Sequence, residues 1–524
     1  MMDWTRAAFL AMEWLWLLSG ILCLIAAGLA ATGRLDPDRV ELHMQRTLGR
    51  WPSAAILAAA MFFPAALSLY KLAQFHAFHI MMDSAVMGNV MWNAAHGHGL
   101  VSSIYAGKSY LAVHFAFTLA LLAPLTWIWN SMGLLAVAHG LAVGSCVPAA
   151  FLLGRLLGRS AWCGVLAALL CVSSPFFQNT AISLIDNVNF AAPIFLWGAW
   201  AWAAGRRKSA ALLALLLLTT REQAPILLAG VGAYGLAQAR DKRGRGGSIA
   251  LILTCVLLWF FEMRVIESAK AGQEQFFNFW SLYSPLGASP KEILRNLFLK
   301  PWIFAYAMVW PPEKFLTIGR VFGWAGLLPL FSGWAILPLL SAWIPHQLAD
   351  PASHFHQLRE HYAALILGPL LWSSICALAS MNLAAAGWRR GSTIWVLIVS
   401  GVSLTVHGDF RPPEGVLPSS WRENVPIAAR YVPSDAKLWC DEYLSPHFAM
   451  RQYIKVLPQV SQADFETALF LPDRILLSRH WIARSEAGHL RRFFGFLRRH
   501  KFVRLFEQGE LVVLARPGTE DGSV

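Results

Sequence analysis

Long apolar segments separated by short basic clusters constrain this chain more than any single motif does. Residues 11–31, 53–73, 110–129, 133–153 and 393–406 are apolar runs. Between such runs the cations gather at Arg34, Arg39, Arg46 and Arg50, at Arg155 and Arg159, at Arg206, Arg207 and Lys208, over 240–245, and at Arg389 and Arg390. About 20 apolar residues suffice to cross a hydrocarbon core of about 30 Å as a helix. The chain is 56% hydrophobic, only 14% charged and carries 24 Trp, which fits an integral membrane protein. Its formal charge of +13 follows the positive-inside pattern plus a basic tail, so no nucleic-acid partner is expected. The fold class implied is an α-helical polytopic membrane protein with about eleven to thirteen spans. The first apolar run reads as a retained helix rather than a signal peptide. Cys23, Cys146, Cys163, Cys171, Cys255 and Cys376 lie in apolar segments and Cys440 in a polar one, which gives neither a disulfide framework nor a zinc spacing.

If the basic clusters face the cytoplasm, the polar segments at 75–110, around Asp186, around Glu222, over 267–314 and over 346–362 share the opposite face. One step of this arithmetic fails. Two full crossings by 110–129 and 133–153 would return the chain to the side it left, so one of them must be re-entrant, surface-lying or fused with its neighbour. Residues 210–218 and 333–343 are short for a span, which predicts broken or tilted helices. After residue 406 prolines and charges return, and strand-like runs KLWC, DRILLS and ELVVLA flank the helical pattern SEAGHLRRFFGFLRRH. Three parts follow: residues 1–50, an added helix and a cytoplasmic amphipathic helix; 51–407, the transmembrane domain, with its first outer loop at 75–110; and 408–524, a small α/β domain outside the membrane. No internal repeat suggests an inverted-repeat transporter.

The first outer loop concentrates polar chemistry at a membrane edge. Met82, Val86 and Val90 form an apolar stripe that predicts a helix lying along the surface, with Asp83 either its cap or a general base. His76, His79, His96, His98 and His114 lack metal-ligand spacing, so no metal site is expected from them. Arg359 and His361 stand at the start of a late span, where a guanidinium either grips phosphate or snorkels. Arg221 and Glu222, between two short helices, require a partner or a ligand. Asp186 either caps the helix that follows it or belongs to the site.

Four places in the chain resemble the DUF2079 family of predicted membrane proteins, whose members are similar to the GT-C class of membrane glycosyltransferases. They are MMDSAVMGNVMWNAAHGHG, with Asp83, Trp92, Asn93 and Gly97; His114-Phe115; the Arg221-Glu222 junction; and REHYAALILGPLL, with His361 and Tyr362. The tail adds Pro433, Asp435 and Ala436, then Pro446-His447 and Arg451. The resemblance covers about residues 53–516, leaving the first span as an addition, and departs near Asp186, where LIDNVNF stands in place of a family histidine.

The resemblance implies a GT-C-like fold and an inverting transfer of a sugar from a polyprenyl-phosphate-linked donor to an acceptor hydroxyl. It makes Asp83 the general base and Trp92, Asn93, His114, Arg221, Glu222, Arg359, His361 and Tyr362 the substrate contacts. No cofactor is required with certainty, and a divalent cation is left open. The acceptor is a glycan, a lipid or a protein. The setting implied is a bacterial or archaeal cytoplasmic membrane, with membrane lipid as a further partner and the C-terminal domain outside. The alternatives are a transporter or flippase for a lipid-linked sugar, and a non-catalytic scaffold that binds one.

Overall fold

The structure, a computed structural model, describes residues 4–48, 52–270, 279–406, 420–457, 460 and 471–519. The sequence PPEGVLPS that leads into the C-terminal domain, and Arg50 among the basic markers, lie outside the described residues. The chain begins with helices α1 (Trp4–Ala31), α2 (Pro37–Leu48), α3 (Pro52–His76) and α4 (Met82–Ala95). Pro37 opens α2, and the Asp36 carboxylate accepts from the Asp38 amide at 3.0 Å, so the start signal in the sequence is used as read.

Among the described residues five helices are long and apolar enough to cross a membrane: Phe9–Ala31, Ala54–His76, Met132–Gly158, Lys242–Lys270 and Glu360–Leu383. Ala161–Ser173 and Pro175–Ile182, which meet at 55°, are together apolar enough for a broken span or a re-entrant loop. The larger number expected from hydropathy has a physical reason. Several apolar stretches fold as short helices, namely Ala191–Ala203, Arg207–Leu218, Ala224–Gln238 and Leu337–Leu348. They are separated by positive-φ glycines such as Gly205 and Gly333 and by polar junctions.

The segment before residue 130 also breaks, into Tyr110–Ala112, Thr118–Leu122 and Ala123–Trp127, and leaves Trp127 70% and Ile128 82% exposed. Only Met132–Gly158 is of spanning length there, which removes the surplus crossing.

Small residues set the closest helix contacts, as expected where apolar lipid offers helices no hydrophobic gain from pairing. A Cβ on Gly140 would lie 2.4 Å from the Ser68 Cα, and one on Gly144 would lie 2.5 Å from the Pro64 Cα, so α3 meets the Met132–Gly158 span backbone to backbone. Ser68 Oγ donates across this contact to the Val137 carbonyl at 3.1 Å. At the other side of the bundle α1 packs on the Ala386–Val406 helix through Gly20 and Gly401. Arg390 caps α1 there, donating to the carbonyls of Ala30 at 3.0 Å and Ala31 at 2.8 Å. Glu41 of α2 takes the opposite role at the start of Ala161–Ser173, accepting from Ser160 Oγ at 3.1 Å and the Trp162 amide at 3.0 Å.

The loop after α4 carries a small hairpin of β1 (Val101–Ser102) and β2 (Lys108–Ser109). The C-terminal domain holds β3 (Leu438–Cys440), β4 (Ile454–Val456), β5 (Arg474–Ser478), β6 (Val503–Gln508) and β7 (Leu511–Ala515), in the order β4-β3-β5-β7-β6. The neighbours β4 and β5 both run parallel to β3, and β7 is antiparallel to β5 and β6. One sheet face, with Trp439, Ile475 and Leu477, is covered by Trp481 and by Phe493 and Phe496 of the Ala487–Arg499 helix. The other face, with Leu438, Cys440 and Leu476, shares a core with Phe75, Val86 and Val90.

Helix α4 is therefore a wedge between bundle and domain. Ser84 to Met91 are all buried, so the surface-lying helix expected from the Met82, Val86 and Val90 stripe is instead enclosed on both sides.

Candidate active site

The site is built where the start of α4 meets two loops. Met81 is the N-cap of α4 and makes no side-chain capping bond; Asp83 lies in the first turn, where the helix dipole favours a carboxylate. Asp83 is exposed, and among the described residues its carboxylate accepts no hydrogen bond. Protein crowding around it, then the charges of Asp186, Glu360 and Glu442, push its carboxyl above the ordinary range. The next residue fixes the neighbourhood, because Ser84 Oγ accepts from the Ile185 amide at 2.9 Å and so seats the Asp186 loop against α4.

Asp186 caps the helix that follows it and is also paired with Arg221. Its Oδ1 accepts from the Val188 amide at 2.9 Å as a helix cap and from Arg221 Nη1 at 2.8 Å. From there a chain of polar contacts runs through the broken-helix junction. Arg221 Nη2 donates to His114 Nε2 at 2.7 Å, and His114 Nδ1 donates to Glu222 Oε1 at 3.1 Å. The Phe115 amide donates to Glu222 Oε2 at 3.2 Å. On the far side His361 Nε2 stands 3.9 Å from Asp186 Oδ2. His114 is thus held in one tautomer, donor toward the carboxylate and acceptor toward the guanidinium.

The charges of this knot are mutually enforced. Burial alone would raise the Asp186 carboxyl, but Arg221, His361 and His114 together hold it well below the usual range. Burial likewise opposes ionised Glu222, and His114 first, then Arg221, bring its carboxyl down to about 2. Burial works against the Arg221 cation too, and Asp186 and Glu222 outweigh it. Arg221 is 4% exposed, and its two amino nitrogens are engaged by protein. The ionised Asp186, Arg221 and Glu222 form a buried floor beside Asp83.

The remaining residues singled out from sequence lie at different depths. His361 is buried and forms part of the floor, and Tyr362 is half-buried with its ring 4.2 Å from the His361 ring. Arg359 is exposed, between Leu358 and Glu360, which both have positive φ; strained backbone of this kind clusters at functional sites. Trp92 and Asn93 do not join the cluster. They sit about 13 Å further along α4 at 1.5 Å per residue. Trp92 stacks on His96 at 3.8 Å, and buried Asn93 donates to the Asn89 carbonyl at 3.0 Å.

Two buried charges escaped the sequence reading. Lys71 of α3 is 1% exposed and donates to the Ser183 carbonyl, and Glu262 of the Lys242–Lys270 span is 2% exposed. An ionisable residue inside or at the edge of an apolar run was the available signal for each. Among the described residues no group of three or more His, Cys, Asp or Glu is arranged to hold a metal ion.

No curated protein matches the chain. Among solved structures it is similar to ArnT from Cupriavidus metallidurans bound to undecaprenyl phosphate, with 11% identity over 88% of this chain and 98% of that one and a TM-score of 0.48. The apo structure of the same ArnT aligns with 12% identity over 87% of this chain and 98% of that one, at a TM-score of 0.42. The family described as a predicted membrane protein, DUF2079, matches residues 82–493, from the first turn of α4 to the helix over the outer face of the C-terminal sheet. The chain is a multi-pass membrane protein and belongs to the DUF2079 family.

Proposed function

We propose that the protein is a membrane glycosyltransferase that moves a sugar from a polyprenyl-phosphate-linked donor to an acceptor hydroxyl on the extracytoplasmic face. The observation that carries this reading is the state of Asp83. Asp186 and Glu222 are locked into ion pairs, whereas Asp83 is exposed, unpaired among the described residues and raised toward a working general base.

In the reaction the acceptor oxygen attacks the anomeric carbon as Asp83 takes its proton. The bond from that carbon to the phosphate oxygen breaks on the opposite face, polyprenyl phosphate leaves, and the configuration inverts. Exposed Arg359 is the cation available to the leaving phosphate, and the buried knot holds the loops of Asp186, His114 and His361 in place around the reacting atoms. Lys71 lies near one end of its span, and Asp186, Arg221 and Glu222 lie at junctions outside the spans, so the buried charge gathers at helix ends rather than along a path through the bundle. That distribution favours chemistry at one face over a substrate path through the middle of the membrane.

The test uses the full chain in nanodiscs with a panel of radiolabelled polyprenyl-phosphate sugars. Donor consumption by wild type that disappears in Asp83→Asn, with donor binding kept, is the expected result. Equal consumption by both, or movement of intact donor between leaflets without bond cleavage, overturns it.

A further inference from the structure

The C-terminal sheet has a topological switch point in its parallel half. From β3 the chain passes to β4 on one side and then to β5 on the other, all three parallel, so a crevice opens at the carboxyl ends of β3 and β5. Sheets of this kind bind ligands in that crevice. Asp441 follows β3 directly and is fully buried. It accepts from Ser478 Oγ, at the end of β5, and from the Tyr443 amide at 2.9 Å, which fixes the path of the loop after β3.

Four functional side chains stand on this frame. Glu442 and Tyr443 come from the loop after β3, and His480 and Arg484 from the Arg479–Arg484 helix after β5. Arg484 Nη1 donates to the Tyr443 hydroxyl at 3.1 Å and to His480 Nε2 at 3.2 Å, and the Tyr443 and His480 rings meet edge to face at 5.9 Å. Arg484 is exposed and forms no ion pair among the described residues, where the Glu442 carboxylate also accepts no hydrogen bond.

The crevice opens toward the bundle because the loop after β3 runs straight onto α4. Ser445–Phe448 packs on that helix, His447 Nε2 donates to the Phe75 carbonyl at 3.0 Å, and Asn89 binds the carbonyls of Ala449 and Arg451. The charge of Glu442 reaches Asp83.

We infer that this crevice is the acceptor subsite and that the acceptor it takes is a glycan. The inference rests on the transfer reading above. An open carboxylate accepts sugar hydroxyl protons, a guanidinium donates to hydroxyl oxygens in pairs, and aromatic rings cover the apolar face of a pyranose. Glu442 and buried Asp441 beside Arg484 disfavour a phosphate or an anionic lipid headgroup in the same place.

The test measures binding to the full chain in nanodiscs of three hexasaccharides, built of N-acetylglucosamine, mannose and galacturonic acid, against a serine-containing peptide and a short-chain phospholipid. At least one hexasaccharide is expected to bind to wild type and to Asp83→Asn alike, and to bind at least tenfold more weakly to Glu442→Gln and to Arg484→Gln. Tyr443→Phe keeps the ring and removes one hydroxyl, so it controls for misfolding and is expected to weaken binding less. Binding of the peptide or phospholipid in place of every hexasaccharide, or unchanged affinity in both Glu442→Gln and Arg484→Gln, overturns the inference. Absence of donor turnover in wild type overturns the transfer reading instead, and is read out separately.

Discussion

Asn89, in the middle of α4, donates through Nδ2 to the main-chain carbonyl of Arg451 at 2.6 Å. The same amide oxygen accepts from Ser102 Oγ at 3.0 Å and from the Ser103 amide at 2.9 Å, so one buried side chain joins helix, hairpin and C-terminal domain. Asn89→Leu leaves those groups without partners in a dry contact, each at about 1–3 kcal/mol. Limited proteolysis should then release the C-terminal domain while the spans stay protected.

The raised Asp83 carboxyl sets the acid limb of the pH profile. A general base must be ionised, so activity rises with pH through the Asp83 value. Because that value is displaced upward from the ordinary 3.8, the limb should lie at higher pH than for a solvated aspartate. Asp83→Asn should lower kcat by about 10²–10⁴ and remove the limb. Stopped assays across pH 4–8 check both.

Arg221→Gln strips the guanidinium from the buried carboxylates it serves. Breaking such a pair costs about 3–5 kcal/mol, because Asp186 and Glu222 are left ionised without compensation. Thermal melting in detergent should show a large loss, and Arg221→Lys, which keeps the charge without the planar fork, a smaller one.

His447 makes domain docking sensitive to acid. Burial, then the nearby His76, push its imidazole down to about 3 from 6.5. Below pH 6.5 the unfolded chain takes up a proton that the folded one refuses, so stability present above 6.5 drains away as pH falls toward 3. Amide-exchange protection factors in the C-terminal domain, corrected for the intrinsic rate at each pH, should fall between pH 7.5 and pH 5. His447→Phe, which keeps a ring on Phe75, should flatten that dependence.

Gly140→Ala places a methyl against the Ser68 backbone, where no side chain can rotate aside. Separating α3 from the Met132–Gly158 span should cost about 1–3 kcal/mol, checked by melting.

What could be read from the sequence divides along physical lines. The spans 9–31, 54–76 and 132–158 were legible because lipid imposes a length and polarity that neighbours cannot override. The runs KLWC, DRILLS and ELVVLA became β3, β5 and β7, while β4 and β6, short or largely exposed, carried too little alternation to be seen. Arg221 and Glu222 announced themselves as charges at a helix break. That Asp186 and His114 would be their partners was hidden, since hydrogen bonds across 35 and more than 100 residues leave no local pattern. Asn89 was passed over inside AVMGNVM because a lone amide in an apolar run looks the same whether it ends in solvent or between two domains.

The contact of α1 with the Ala386–Val406 helix also bears on how the protein is made. Translation at about 5–20 residues per second puts the two halves of that contact on the order of half a minute apart. Through that interval α1 sits in the bilayer with Gly20 against lipid, and its carbonyls at Ala30 and Ala31 wait for Arg390. The bundle is sealed by its last helix closing on its first, so biogenesis ends where it began.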